Sequence, residues 1–538
     1  MSDKHIQTAA KQKRESEGEA PSAGDSGGSP DMTPSLVMCK GEKKMIKRAI
    51  LSVSDKTGIT QLARRLADRG VTLLSTGGTM KAIADAGIPV TGVSDVTGFP
   101  ECLDGRVKTL HPMIHAGLLA VRDNPEHMKQ LEQLGVEPID MVVINLYPFR
   151  ATIEKPDVTF EDAVENIDIG GPTMLRAAAK NAQDVVVIID PADYDRVMDE
   201  LEQTGDVSLK TKRYLQYKVF EHTAQYDCMI QQYLRNQLED APEFPQNLTV
   251  TFEKVQDMRY GENPHQKAAF YRDLGDIAGT LPAAKQLHGK ELSYNNINDT
   301  NGALELLREF DTTAVVAVKH GNPCGVGVAN EVSEAYRLAY EADPVSVFGG
   351  IVVTNGTVDA ATAEQMSKIF LEIIVAPKFT DEAMAILTKK KNLRLLELDT
   401  TIRSYPKNEM VMRKVAGGML VQEIDDKLLP EDGELKVVTK LAPTEKQMED
   451  LMLAWKIVKH AKSNGIAIAK DNQSLGIGPG QVNRIWSTQM AIERSGGKVR
   501  GAALASDAFF PFDDCVKACA EAGISCIIQP GGSIRDQD

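Results

Sequence analysis

Residues 48–87, RAILSVSDKTGITQLARRLADRGVTLLSTGGTMKAIADAG, alternate short apolar runs with amphipathic stretches. The apolar runs have the length of buried strands, and the stretches between them repeat apolar residues at helical spacing. Two later apolar runs, MVVINLY (141–147) and DVVVIID (184–190), flank the helix-like GPTMLRAAAKNA (171–182). This alternation predicts an α/β fold in which helices cover a mainly parallel sheet.

Small polar residues follow the first two predicted strands. They are Ser52, Ser54, Lys56, Thr76, Gly77, Gly78 and Thr79. Because ligands of parallel sheets gather at the carboxyl ends of the strands, we expect these two loops to converge. Hydroxyls, an ammonium group and backbone N–H groups at a helix N-terminus together hold an anion. The pattern therefore predicts a phosphate site, and a tight structural turn is the alternative for TGGT alone.

The segment DGRVKTLHP (104–112) places Arg106 and Lys108 two residues apart, on one side of an extended chain. Its glycine and proline indicate a loop, where functional side chains concentrate, although solvated basic residues are the common explanation of such pairs. His111 and His115 have the i, i+4 spacing of metal ligands on a helix. Since Pro112 lies between them and no third ligand is nearby, we expect core or loop histidines instead.

Further polar residues end the later strand and border the helix that follows it. Asn145 and Tyr147 close the run MVVINLY, Asp168 precedes GPTMLRAAAKNA, and Lys180 lies on the same helix face as Arg176. A tyrosine, an aspartate and lysines near strand ends can serve proton transfer and oxyanion stabilisation. Taken alone, each of them is better explained by a structural role.

Composition divides the chain into several regions. Residues 1–44 are rich in Ser, Gly, Lys and Glu and poor in large apolar groups, which predicts a disordered tail. The segment NQLEDAPEFPQNLTV (236–250) has no helical period and predicts a boundary near residue 240. We therefore expect domains at 45–240, 241–430 and 431–538.

The second half contains a weak internal duplication. Residues 299–327 and 450–478 align without gaps at a constant offset of 151 and both predict a helix, a strand and a Lys-loop-Gly-x-Gly segment. We expect two related α/β domains whose matching loops face one cleft; chance recurrence of a common pattern is the alternative. The segments DPVSVFGG (343–350), which starts at Asp343, and SDAFFPF (506–512), which contains Phe509, are a second candidate pair of matched loops.

Two loops of the second half are dense in donors and acceptors. RYGENPHQ (259–266) is polar and bounded by Gly and Pro, and Lys319-His320 follows the apolar strand AVVAV. A histidine accepts protons near neutral pH, and a neighbouring lysine stabilises developing negative charge. Cys324 in the same loop has no evident partner base, so we interpret it as a packed thiol rather than a nucleophile.

Charge and cysteine content exclude several classes of protein. With 61 basic and 76 acidic residues the formal charge is −15, which argues against a nucleic-acid wrapper or a general binder of anionic membranes. No apolar run approaches the ~18 residues that span a bilayer. The seven cysteines are scattered without a Cys-x-x-Cys, which indicates reduced thiols in a cytoplasmic protein and argues against structural zinc.

Eleven strings together resemble one family. They occur in a single order between about residue 47 and about residue 535: SVSDKTG, STGGT, GRVKTLHPMIHAGLL, NLYPF, IDIGGPTMLRAAAKN, RYGENPHQ, ELSYNNINDTN, KHGNPCG, DPVSVFGG, KSNGIAIAK and DAFFPFDD. The family comprises the bifunctional purine-biosynthesis enzymes that combine aminoimidazolecarboxamide ribotide (AICAR) formyltransferase with inosine monophosphate (IMP) cyclohydrolase. The resemblance implies a methylglyoxal-synthase-like N-terminal domain followed by duplicated cytidine-deaminase-like α/β domains without the deaminase zinc.

The resemblance also implies roles for individual residues. In formyl transfer from 10-formyltetrahydrofolate, His320 accepts the amine proton, Lys319 assists the oxyanion or the departing N10, and Asn464 positions the reactants. The implied catalytic set for ring closure is Lys108, Tyr147, Asp168 and Lys180. The implied substrate-binding set is Ser52, Ser54, Lys56, Thr76, Gly77, Gly78, Thr79, Arg106, Thr109, Asn145, Arg259, Tyr260, Asp343 and Phe509.

The resemblance also implies how the chain assembles and what it binds, and this sequence departs from the family pattern at two places. It implies a homodimer with transferase sites built across subunits, no catalytic metal, no nucleic-acid or membrane partner, and room for a structural monovalent cation. The family's chain normally continues past PGGSIRD whereas this sequence stops at Asp538, and Val347 replaces a smaller residue. We therefore expect formyl transfer to be weaker than ring closure. Two alternatives are a cyclohydrolase with an impaired transferase half as dimerisation scaffold, and a non-catalytic sensor of nucleotide phosphates.

Overall fold

A computed structural model describes residues 45–429 and 433–537, so the predicted tail at 1–44 lies outside the described residues. The chain forms two compact units that divide between Leu238 and Glu239. Within the described ranges, no helix combines the length and apolar character needed to cross a bilayer.

The first unit is built on one five-stranded sheet. Its strands are β1 (Arg48–Val53), β2 (Thr72–Ser75), β3 (Thr91–Gly92), β4 (Met141–Asn145) and β5 (Val186–Ile188). The spatial order is β3-β2-β1-β4-β5, and every pairing is parallel. The central strands are buried almost throughout, as expected for a sheet covered on both faces. The predicted α/β fold with a parallel sheet is confirmed.

Helices fill the connections of this sheet. They are α1 (Ile59–Ala67), α2 (Gly77–Asp85), α3 (Val93–Thr97), α4 (Pro112–Leu119), α5 (Pro125–Gln133), α6 (Phe149–Ile153), α7 (Phe160–Glu165), α8 (Gly170–Lys180), α9 (Tyr194–Thr204) and α10 (Leu209–Arg235), with a short 3-10 turn at Pro191–Asp193. The amphipathic pattern of α1 explains its packing, because Ile59, Leu62 and Leu66 all face the core. The long α10 packs against α8 and β5.

The strand register decides where polar loop residues meet. Leu51 of β1 lies beside Ser75 of β2, and Val53 lies beside Asn145 of β4. The three strands therefore end at the same edge of the sheet. Loops that follow them line a common space, as predicted for ligands of parallel sheets.

The second unit contains a ten-stranded sheet and two separate two-stranded ribbons. Its strands are β6 (Phe252–Met258), β7 (Ala268–Asp273), β8 (Lys285–His288), β9 (Ala314–Lys319), β10 (Asn322–Val328), β11 (Ile351–Thr354), β12 (Ile373–Ala376), β13 (Arg394–Glu397), β14 (Met410–Val415), β15 (Gly418–Glu423), β16 (Ile466–Lys470), β17 (Gln473–Gly478), β18 (Ala503–Ser506) and β19 (Cys526–Ile528). The ribbons are β6-β7 and β14-β15.

The helices of the second unit cover its large sheet. They are α11 (Tyr294–Leu307), α12 (Val332–Ala342), α13 (Pro344–Val347), α14 (Ala360–Ser367), α15 (Asp381–Leu387), α16 (Glu445–Lys459), α17 (Arg484–Ser495) and α18 (Asp514–Ala522), with 3-10 turns at Leu281–Ala283 and Gly496–Val499. Close packing of α12 and α17 on the sheet requires glycine. A Cβ at Gly325 would collide with the carbonyl of Ala339, and one at Gly476 with the carbonyl of Ala491.

The large sheet repeats one pattern on the two sides of its centre. Its order is β19-β18-β16-β17-β10-β9-β11-β12-β13-β8, so β16, β17, β18 and β19 on one side correspond to β9, β10, β11 and β12 on the other. In each half a hairpin is followed by one antiparallel and one parallel pairing. The predicted duplication is therefore present, and both halves contribute to a single continuous sheet.

Two details of the predicted duplication are wrong. Strand β10 pairs antiparallel with β17, with Gly327 beside Gln473, so the turns after Lys319 and Lys470 lie at opposite ends of the sheet rather than facing one cleft. Segment 343–350 precedes β11, whereas segment 506–512 starts at the end of β18, the counterpart of β11. The two segments are therefore not matched loops.

Candidate active sites

The first unit holds a cavity of about 560 Å³ at the carboxyl edge of its sheet. Nearly every residue predicted for phosphate binding or ring closure lines it. These residues are Ser52, Ser54, Lys56, Thr76, Gly77, Gly78, Thr79, Arg106, Lys108, Thr109, Asn145, Tyr147 and Asp168. Segments distant in sequence thus contribute to one nucleotide-sized space.

Two side chains fix the loops that form the floor of this cavity. The Asn145 side-chain oxygen accepts hydrogen bonds from the backbone N–H groups of Ser54 at 2.6 Å and Asp55 at 2.9 Å. The Thr79 hydroxyl accepts from the Val53 N–H at 3.0 Å and donates to the Val53 carbonyl at 2.9 Å. These bonds hold the loop after β1 against β4 and α2.

The opening of α2 has the features of an anion site. Thr76 precedes the helix in an extended conformation, and Gly77 starts it with a φ of 47°, a left-handed value that favours glycine. The Ser52 and Thr76 hydroxyl oxygens lie 3.3 Å apart, and Lys56 lines the same cavity. Free N–H groups at a helix N-terminus, hydroxyls and an ammonium group form a suitable phosphate cradle.

Asp168 is a half-buried carboxyl group of the cavity. Burial raises the pKa of this side chain, while hydrogen bonds from the Gly171 and Tyr147 backbones and the charge of Lys108 partly offset that shift. Its Oδ1 accepts from the Gly171 N–H at 2.9 Å. A Cβ on Gly171 would lie 2.6 Å from the carboxylate, so glycine is required at this close approach. A carboxyl group with a raised pKa is suited to proton transfer.

Three acidic residues that the sequence analysis missed also line the cavity: Glu101, Asp104 and Glu165. Glu165 accepts a bidentate ion pair from Arg106, one bond of which joins Nε and Oε1 at 3.3 Å. Glu101 lies 3.9 Å from the Lys108 ammonium. The predicted phosphate-binding arginine is thus paired with a carboxylate of the same cavity.

The structure does not bring Lys180 to this cavity. Asp168 lies beside the first turn of α8, whereas Lys180 is exposed at the last residue of the same helix. Ten residues at about 1.5 Å rise separate the two helix ends by roughly 15 Å. Sequence reasoning also missed Tyr226 on α10, whose hydroxyl accepts a hydrogen bond from the Asp168 N–H at 2.8 Å.

A second cavity, of about 320 Å³, lies in the second unit and is lined by both halves of the repeat. Lys319, His320 and Asp343 come from the first half. The second half contributes the end of β17 and the start of its following loop, together with Met490 and Arg494. The antiparallel pairing of β10 with β17 explains this arrangement, because it brings the end of β17 beside the turn that carries His320.

The turn between β9 and β10 is held at several points. The Lys319 ammonium donates to the Phe348 carbonyl at 2.7 Å. His320 has a left-handed φ of 55°, and its N–H donates to Asp299 Oδ2 at 2.9 Å. The Asn322 side-chain amide donates to the His320 carbonyl at 3.0 Å. An ammonium group and an imidazole are therefore placed together at the cavity.

Asp343 and Cys324 are two further residues of the first half that line this cavity. Asp343 accepts hydrogen bonds from the Ser346 N–H at 2.9 Å and from Arg494 Nη1 at 3.0 Å. Sequence reasoning missed Arg494, which lies 151 residues along the chain from Asp343. Cys324 also lines the cavity, and burial raises the pKa of its thiol to about 12. A thiol with that pKa is almost entirely protonated at neutral pH, which agrees with the predicted packed thiol.

Four predicted transferase residues do not line this cavity. Asn464 contacts the lining residue Gln481 but does not line the cavity itself. The Asn464 side-chain oxygen accepts a hydrogen bond from Arg484 Nη2 at 2.6 Å, and its amide nitrogen donates to the Gln481 carbonyl at 2.8 Å. Arg259 and Tyr260 follow the ribbon strand β6, with the guanidinium 5.9 Å from the tyrosine ring centroid. Phe509 is exposed in the loop after β18.

Comparison with known proteins agrees with the order of the two units. The family described as "MGS-like domain" matches residues 58–173, and the family described as "AICARFT/IMPCHase bienzyme" matches residues 178–494. Relatives described as bifunctional purine biosynthesis protein PurH include those of Acetivibrio thermocellus at 63% identity, Ruminiclostridium cellulolyticum at 61% and Bacillus cereus at 57%. Each alignment spans 92% of this chain and 96% of the relative. The chain belongs to the AICARFT/IMPCHase bienzyme family of purine-biosynthesis enzymes.

Proposed function

We propose that the chain performs its two activities in its two cavities, with formyl transfer in the second unit and ring closure in the first. The main support for this proposal is that each cavity combines its own proton-transfer group with its own cation. These pairs are His320 with Lys319 and Asp168 with Lys108. A site that only bound nucleotide phosphate would not need the proton-transfer groups. This favours an enzyme over a phosphate sensor.

In the transfer step, the 5-amino nitrogen of AICAR attacks the formyl carbon of the cosubstrate 10-formyltetrahydrofolate. His320 accepts the amine proton, and the Lys319 ammonium stabilises the oxygen of the tetrahedral intermediate. The bond between the formyl carbon and N10 then breaks, N10 takes up a proton, and tetrahydrofolate leaves. Asn464 positions the reactants through the wall residue Gln481, and Asp343 contacts substrate together with Arg494.

In the closure step, the carboxamide nitrogen of the formylated nucleotide bonds to the formyl carbon. The formyl oxygen leaves as water with one proton from the carboxamide nitrogen and one from the formamide nitrogen. Asp168 transfers these protons, and Lys108 with Tyr147 stabilises the negative oxygen before it departs. The loops after β1 and β2 hold the phosphate, with Arg106, Thr109 and Asn145 contributing. We assign no role to Lys180 in a single chain.

A second copy of the chain completes the transferase nucleotide site. Arg259, Tyr260 and Phe509 have the donors and aromatic rings to bind a nucleotide, yet none lines the cavity within one chain. Exposed apolar side chains on the ribbon strands β6 and β7, including Phe252, Val255 and Tyr271, supply a surface for such an association. We propose a homodimer, and the six free cysteines of the described residues support a cytoplasmic location.

The test assays the two reactions separately. Purified protein receives AICAR with 10-formyltetrahydrofolate, and in a second assay the formylated nucleotide alone. His320→Ala and Lys319→Ala should lower transfer by about 100-fold or more and leave closure unchanged, because a proton acceptor and an oxyanion-stabilising group each contribute roughly that factor. Asp168→Asn and Lys108→Ala should do the reverse. Loss of both activities in either pair would contradict two independent sites.

A further inference from the structure

A carboxylate outside the transferase cavity fixes the backbone that carries His320. Asp299 lies on α11, and its Oδ2 accepts a hydrogen bond from the His320 N–H at 2.9 Å. Asp299 itself does not line the cavity. Within one chain, its contact with the cavity therefore runs through His320.

The backbone at His320 needs such support. Lys319 pairs with Asn322, so His320 and Gly321 form a two-residue hairpin turn with φ values of 55° and 68°. A turn of this kind requires left-handed φ at both central positions. That conformation is uncommon for a residue with a side chain and persists where the surroundings determine it. Since φ and ψ set the direction of the Cα–Cβ bond, the hydrogen bond that Asp299 accepts helps to decide where the imidazole lies.

The same hydrogen bond is built a second time in the repeat. Asp450 on α16 accepts from the Asp471 N–H at 2.8 Å, and both residues lie 151 positions after their counterparts. Asp471 and Asn472 form the matching turn, with φ values of 52° and 63°. The second turn carries an aspartate where the first carries the histidine. The hydrogen bond in the second half can therefore stabilise the fold but cannot orient a catalytic histidine, so comparing the two bonds distinguishes a structural role from an effect on transfer.

We propose that Asp299 is a positioning residue for formyl transfer, which orients His320 by accepting the hydrogen bond of its backbone N–H. This inference rests on the proposed role of His320 in proton transfer. The acceptor oxygen is the essential feature, so an amide oxygen at the same position should replace the carboxylate. Removal of the acceptor frees the turn to relax and displaces the imidazole from the attacking amine.

The experiment measures kcat and KM for AICAR and for 10-formyltetrahydrofolate with the full-length protein and three Asp299 variants. Asp299→Ala and Asp299→Ser lack an acceptor that reaches the His320 N–H and should lower kcat roughly 10- to 100-fold, with KM values within about twofold, since small misplacements of a catalytic group carry penalties of this order. Asp299→Asn should keep kcat within about threefold of the wild-type value.

Asp450→Ala is the matched control, because it removes the corresponding bond at the opposite end of the sheet. It should leave the transfer kcat within about twofold of wild type. Urea unfolding and ring closure by the same preparations report whether each variant is folded. Equal losses of transfer in Asp299→Ala and Asp450→Ala would overturn the inference, as would an Asp299→Asn variant as slow as Asp299→Ala or an Asp299→Ala variant of wild-type speed. His320→Ala, measured in the same assay, tests the proposed role of His320 separately from that of Asp299. Full transfer in the His320→Ala variant would refute the proposed function itself.

Discussion

The hydroxyl of Tyr226 accepts a hydrogen bond from the backbone N–H of Asp168 at 2.8 Å, which ties the proposed catalytic carboxyl of the first unit to the long helix α10. Tyr226 is buried, and its ring packs edge-on against Phe149 at 6.1 Å. The bond crosses 58 residues of sequence. It fixes the segment that leads from α7 into α8, and therefore the position of the Asp168 side chain.

Tyr226→Phe should reduce ring closure without affecting formyl transfer. The change leaves the Asp168 N–H without its acceptor, which costs about 1 kcal/mol of unfolding free energy and loosens the carboxyl group. We expect the kcat of closure to fall roughly tenfold. Tyr233→Phe is the matched control, since Tyr233 also packs on Phe149 from α10. Wild-type closure kinetics in Tyr226→Phe would show that this bond does not position Asp168.

Asp168→Asn should stabilise the protein while abolishing ring closure. Burial raises the pKa of Asp168, so the folded protein favours the protonated carboxyl relative to the unfolded chain. The stability this group contributes is present below its unfolded pKa of about 3.9 and is lost as pH rises through the folded pKa. At pH 7 the buried charge therefore opposes folding, and the neutral amide does not.

Urea unfolding at several pH values checks this expectation for Asp168. The variant should unfold at a higher urea concentration than the wild type at pH 7, and the difference should shrink as the pH falls toward about 4. A wild type that is the more stable protein at pH 7 would mean that the favourable charge of Lys108 outweighs burial.

Glu165→Gln should tighten the binding of the nucleotide phosphate. Glu165 forms a bidentate ion pair with Arg106 in the first cavity and competes with a phosphate for the same guanidinium. Both side chains are exposed, so the pair adds little to stability. We expect the KM of ring closure to fall about two- to fivefold at low salt, with an unchanged kcat and unfolding midpoint. The effect should fade at high ionic strength because the competing charges are screened.

Glu161→Gln is the control for this change. Glu161 lies on the same short helix α7 but does not line the cavity, so its neutralisation removes an equal charge without freeing Arg106. If both variants lower KM to the same extent, the cause is the general field of the site rather than release of the arginine.

Local sequence predicted which loops meet at the first cavity, and it did so for a physical reason. In a parallel sheet all strands end at one edge, so residues that close consecutive strands must approach one another whatever the details of packing. Ser52, Thr76 and Asn145 all lie at that edge. The positions of the strand ends in the sequence were therefore enough to predict that these residues lie close together.

Other parts of the sites depend on long-range packing that spacing does not encode. Helical periodicity placed Lys180 on a face with Arg176, but it did not say which end of the helix borders the cavity. Tyr226 reaches Asp168 only because α10 packs on α8. In the second unit the offset of 151 residues revealed the repeat but not the antiparallel pairing of β10 with β17, which separates the matching turns.

Cys324→Ala should retain formyl transfer within about threefold of the wild-type rate, although Cys324 lines the proposed transferase cavity together with His320. Burial, reinforced by the nearby Asp343 carboxylate, raises the pKa of the thiol to about 12. At pH 8 the thiolate fraction is then about one in ten thousand, too small for an effective nucleophile. The thiol instead donates a hydrogen bond to the Ala317 carbonyl at 3.4 Å. Iodoacetamide at pH 8, followed by peptide mass analysis, should modify Cys324 far more slowly than an unfolded peptide of the same sequence. A formylated Cys324 detected during turnover, together with a hundredfold slower Cys324→Ala variant, would establish covalent catalysis in place of direct transfer.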